Sequence, residues 1–139
     1  MKQESFISPE VLELIYRSAH IERWNDHLRV HGFTELDKQA HKMIIAYVLG
    51  KLEEETTHRP LNWELIIESG VIEFFERVVL TDIKPPIYYE LIQHSGPALY
   101  DWVVQSLKNV FKPDLLEFIP KMKTYFAQTD HFSRERQII

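Results

Sequence analysis

Seven histidines and 21 acidic residues, with no cysteine, limit what chemistry this chain can carry. Imidazole nitrogen and carboxylate oxygen can hold a metal between facing helices, whereas thiolate zinc sites, disulfides and cysteine nucleophiles are excluded. His41 is the leading ligand candidate. It lies one turn beyond Asp37, one turn before Ile45 and directly after Ala40, so it borders a helical apolar face. The alternative is a core-edge ring bonded to a carbonyl or to Asp37. Asp101 stands in the apolar run Ala98-Leu99-Tyr100-Asp101-Trp102-Val103-Val104, where an unpaired carboxylate would be costly. It therefore coordinates a cation, pairs with an arginine, or sits at the polar edge of a first helical turn, capping backbone N–H groups.

Other residues suggest phosphate and nucleoside chemistry. Arg23-Trp24 offers a guanidinium fork for phosphate and an indole to stack on a base or sugar, against the alternative of a surface ion pair beside a core tryptophan. The segment Thr81-Asp82-Ile83-Lys84-Pro85-Pro86 places an acid and a base in one rigid loop; a capping Asp with a solvated Lys is the plainer account. His27 and His31 fall in a stretch that reads as a lid or a solvated connection. Glu54 and His58 have a chelating spacing, but the surrounding glutamates favour an exposed helix end. The chain has no Gly-rich phosphate loop, no H-E-x-x-H and no G-x-S-x-G, which narrows the field.

These residues must be positioned by helices. Ser8-Pro9-Glu10 begins the first, which Val11, Leu12, Ile15 and Ala19 carry to about Arg23-Trp24. Thr34 through Asp37 resembles a capping box, and Leu36, Ala40, Met43, Ile44 and Val48 supply the apolar face of a second helix running to the Glu53-Glu54-Glu55 triplet. Asn62 caps a short helix closed by Gly70. The apolar segment 71–79 reads as a buried helix, its β-branched content leaving a strand open. Pro85-Pro86, Gly96-Pro97 and Lys112-Pro113-Asp114 begin three more, ending near His94, Phe111 and Gln128. The fold class is all-α, a bundle of six or seven helices.

One domain over residues 1–139 is expected, with 1–7 and 129–139 as flexible ends. The net charge of -5 rules out a uniformly basic surface for a nucleic-acid polymer. No apolar run approaches the ~20 residues of a membrane span, and the N-terminus does not read as a signal peptide. A soluble cytoplasmic protein is expected.

The order of these pieces resembles the HD-domain metal-dependent phosphohydrolases, in particular the bacterial 5'-deoxynucleotidase branch. Arg23-Trp24, His41, Thr81-Asp82-Ile83-Lys84-Pro85 and the run from Asp101 to Lys108 stand in the sequence that branch uses, over residues 10 to about 110. The resemblance implies an HD-like bundle in which His41 is the first ligand and Asp101 the last ligand of a divalent metal. Arg23 would then bind phosphate, Trp24 would contact the sugar, Asp82 would line the substrate pocket as a catalytic carboxylate, and Lys84 would bind substrate. The chain departs from the family where the His-Asp pair belongs, reading Glu73-Phe74-Phe75-Glu76, and it has Ala40 where Glu is common. Glu76 is the replacement that the resemblance nominates as ligand and catalytic carboxylate. One histidine among carboxylates suits Mg²⁺ or Mn²⁺ better than Zn²⁺.

Two functions follow as expectations. The first is a divergent phosphohydrolase acting on a small phosphate monoester such as a nucleoside monophosphate. The second is a catalytically degenerate binding or interaction module, with a homodimer joined through C-terminal aromatics around Phe111, Phe118 and Tyr125. Ligand atoms of His41, Glu76 and Asp101 meeting at one point would favour the first, and Phe74 and Phe75 filling that point the second.

Overall fold

The computed structural model describes residues 8–22, 32–80, 85–111, 118–127 and 138. The expected flexible ends, apart from Ile138, the loop holding His27 and His31, and the helix start at Pro113 lie outside them.

Capping chemistry sets where the helices begin. The hydroxyl of Ser8 accepts the Val11 N–H at 3.2 Å and opens α1 (Pro9–Ser18), whose proline sits where no N–H is needed. This helix stops short of Arg23-Trp24. The Ser18 hydroxyl donates to the Ile15 carbonyl, and the Ile21 carbonyl takes the Glu35 N–H at 3.0 Å, which pulls the chain off the helix axis to meet the next element. Glu22 and Thr34 form an isolated bridge there, with no β-strand among the described residues.

α2 (Glu35–Thr57) opens with the expected reciprocal cap. Thr34 Oγ1 accepts the Asp37 N–H at 3.2 Å, while Asp37 Oδ2 accepts the Thr34 N–H at 3.0 Å. It ends two residues beyond the glutamate triplet because His58, at φ 54°, turns left-handed and donates its N–H to the Glu54 carbonyl.

α3 (Trp63–Val79) is capped by Asn62, whose Oδ1 accepts the Leu65 N–H. Gly70 was expected to end a short helix; the helix instead runs through it, and the segment 71–79 is helical. At Gly70 the missing side chain serves close packing: a Cβ there would run into Met43 Sδ, and the Gly70 carbonyl accepts Gln39 Nε2 at 2.7 Å.

α4 (Pro85–Lys108) breaks at Ser95, where φ is −144°, just ahead of Gly96-Pro97, so it is two helical rods as its prolines suggest. α5 (Phe118–Ala127) completes the described bundle, an all-α fold of six rods.

α3 occupies the centre, packed between α2 on one side and α4 with α5 on the other. The main core joins Ile72, Phe75 and Val78 of α3 to Val103, Val104 and Leu107 of α4 and Met122 of α5. Phe111, at 7% exposure, meets Phe75 edge-on with centroids 5.3 Å apart and also touches Phe118. Phe118 and Tyr125, both partly buried, pack against the same core. A smaller cluster of Ala46, Leu61 and Ile66 binds α2 to α3. No helix among the described residues is long and apolar enough to cross a membrane.

Candidate functional site

Glu76 is the nominated carboxylate nearest the core. It projects from α3 at 4% exposure, and its Oε1 accepts a hydrogen bond from the Tyr88 hydroxyl of α4 at 2.6 Å. The Arg77 guanidinium lies over the Tyr88 ring, 4.2 Å from its centroid. Burial pushes the Glu76 carboxyl above the usual carboxylate range, against the pull of the Tyr88 bond. Burial likewise raises the Tyr88 phenol, with the bond to Glu76 adding to it. The pair therefore holds its phenolic proton and pins α4 to α3. One turn away, Glu73 is ion-paired to Lys42 of α2, tying the central helix on its other side.

His41 lies on the exposed side of α2. Its Nδ1 donates to the Asp37 carbonyl at 2.8 Å, because a carbonyl oxygen can only accept, and its ring tilts against Phe33 with centroids 5.3 Å apart. Asp101 is exposed on α4. His41, Glu76 and Asp101 are not brought together. Among the described residues no three His, Asp or Glu side chains form a group able to hold a metal ion, so the described candidates do not fit Mg²⁺ or Mn²⁺. Where the resemblance places the His-Asp pair, Phe74 and Phe75 are 6% and 4% exposed and pack into the core. Arg23, Trp24, Asp82 and Lys84 lie outside the described residues.

The Glu54 and His58 spacing does not make a chelate either. Glu54 Oε1 accepts the Leu61 N–H and the Trp63 indole N–H, both at 2.9 Å, and Oε2 accepts from Lys51 at 2.8 Å. The Leu61 N–H foremost, then Lys51, hold this carboxyl down to about 2. It is the clasp that folds α3 back along α2.

The surface that the sequence reading missed is on α2. Ala40, Ile44 and Val48 were expected to face the core, yet all three are exposed, and Leu36 and Met43 are only half-buried. The packed side is instead built from Ala46 and Gly50, the latter seated against the Trp63 ring. Val48 is two residues from each, about 200° round the helix, so seating the small residues on α3 turns Val48 away. Ile44 is 64% exposed, Ile45 56%, Val48 51% and Leu52 53%. A signal was present in the run Met43-Ile44-Ile45-Ala46-Tyr47-Val48-Leu49: seven consecutive apolar residues cover every side of a helix, and one neighbour can bury only one side. Beside this face a shallow groove of about 200 Å³ between α2 and α3 is lined by Leu36, Ala40, Met43, Val71 and Phe74.

Comparison of the chain with family models, curated proteins and solved structures returns no match.

Proposed function

We propose that this chain is a catalytically degenerate HD-like helical module that works by binding, with the outward face of α2 as its working surface. The observation that supports the reading is the row Ile44, Ile45, Val48 and Leu52, each more than half exposed on one side of a helix. Contiguous apolar surface of this kind marks interaction sites, and burying each such side chain contributes about 1.5–3 kcal/mol. The buried Phe74 and Phe75 support the same reading, since they fill positions that the enzyme family gives to metal ligands.

The rival reading is a divergent phosphohydrolase of small phosphate monoesters. It is supported by the order of Arg23-Trp24, His41, Asp82 and Asp101 along the chain, and by the His41 ring, whose Nδ1–H bond to a carbonyl leaves Nε2 as the acceptor on the exposed side. One experiment separates the two. Purified protein is assayed for phosphate release from nucleoside monophosphates with added Mg²⁺, Mn²⁺ or Zn²⁺, and in parallel for binding of an apolar fluorescent dye by the wild type and by Val48→Glu. The binding reading expects no phosphate release and dye fluorescence that Val48→Glu removes without unfolding the chain. Metal-dependent turnover abolished by His41→Ala would overturn it.

A further inference from the structure

The outward face of α2 carries a charge pattern that selects its occupant. His41, Val48 and Glu55 recur at intervals of seven residues, two helical turns, so they form one column down the middle of the exposed face. Ile44, Ile45 and Leu52 flank that column. The column is apolar at its centre, basic toward the N-terminal end and acidic toward the C-terminal end. Among the described residues the Glu55 carboxylate has no hydrogen bond or ion pair, and the His41 ring, tilted against Phe33, hydrogen-bonds only through Nδ1.

We infer that α2 docks against α2 of a second copy of this chain, antiparallel and related by a two-fold axis through Val48. This inference rests on the binding reading and names its partner. In that register each residue meets the one equally far on the other side of position 48. Val48 packs on the partner's Val48, Ile44 lies beside the partner's Leu52, and His41 stands opposite the partner's Glu55. The same contacts occur twice, as an isologous interface demands. A parallel pairing would instead set glutamate against glutamate and histidine against histidine. A helix of 23 residues provides roughly 34 Å of seam, and its small packed-side residues, Ala46 and Gly50, already commit the other side to α3.

The absence of cysteine makes the register directly readable in the whole chain. Val48→Cys should form a disulfide-linked dimer on mild oxidation, and Lys123→Cys on α5 should not. A mixture of Ile44→Cys and Leu52→Cys proteins should crosslink to each other. Each alone should not, because two copies of position 44 would be offset by roughly 12 Å along the helices, beyond disulfide reach. Light scattering should give twice the 16.6 kDa chain mass. Glu55→Lys should weaken the dimer roughly tenfold, and His41→Glu added to it should restore most of the loss. A monomeric wild type, a dimer unaffected by Val48→Glu, or self-crosslinking of Ile44→Cys would each overturn the inference. A monomer that still binds the apolar dye through Val48 would leave the binding reading standing with a different partner; a monomer that does not would remove both.

Discussion

The Tyr88 hydroxyl and the Glu76 carboxylate meet at 2.6 Å in the joint between α3 and α4. Each side chain is 6% exposed or less. A carboxyl in such a place keeps its proton more readily than in the unfolded chain. Because the native state then binds the extra proton, this group's stabilisation is complete below the unfolded value, near 4.3, and is lost as pH rises through the higher native value.

Tyr88→Phe removes the donor and leaves the acid without its bond. The expected cost is about 1–3 kcal/mol, read from denaturant unfolding at neutral pH. Glu76→Gln retains an acceptor for the hydroxyl and abolishes the titration, so its melting temperature should decline less between mildly acidic and mildly basic pH than that of the wild type. An unaltered pH profile would show that Glu76 is not the group responsible.

Glu54 should act with the opposite sign. Its carboxyl is held down to about 2 by the Leu61 N–H and Lys51, so its contribution is present above the unfolded value and is lost as pH falls toward 2. Glu54→Gln should flatten the acid limb of the stability profile while leaving the limb above neutrality unchanged. Thermal melts of both proteins from about pH 5 downward provide the check.

Both of these carboxylates were noticed in the sequence, Glu54 in a run read as an exposed helix end and Glu76 as the ligand nominated by the resemblance, but their partners Leu61, Trp63 and Tyr88 were not. Cap residues were legible because their chemistry is local: Ser8, Thr34 and Asn62 each bond an N–H three residues on, and Ser95-Gly96-Pro97 breaks α4 where proline requires it. Facing was not legible. Gly70 reads as a stop until Met43 is known to lie against it, and Val48 reads as core until Ala46 and Gly50 are seen to take the contact with α3. Pairings such as Glu76 with Tyr88 depend on how two helices are brought together, which periodicity along one helix does not encode.

Gly50 gives a stringent check on that contact. A Cβ at this position would stand 2.5 Å from Trp63 Cη2, and the indole has little freedom to retreat, since its N–H is bonded to Glu54. Alanine is favoured over glycine inside a helix by up to about 1 kcal/mol, while overpacking costs about 1–3 kcal/mol. Gly50→Ala is therefore expected to be net destabilising, by up to about 2 kcal/mol from those two opposing values. Equal or greater stability would mean that α2 and α3 sit further apart than the Trp63 contact requires.

Phe75 tests whether the position at which the resemblance would put a His-Asp pair serves packing. It is 4% exposed, tilts against Phe74 at 5.4 Å and meets Phe111 edge-on. Phe75→Ala should cost about 3–5 kcal/mol through lost burial and the cavity left behind. Phe75→Asp should cost more, because the carboxylate would be desolvated among Ile72, Val78 and Leu107 with no cation to meet it. Adding Mg²⁺ or Mn²⁺ should not rescue the aspartate variant, since His41 and Asp101 are both on the surface and form no ligand group with position 76. A metal-dependent rise in its melting temperature, absent from Phe75→Ala, would show instead that a latent ligand set closes around this position.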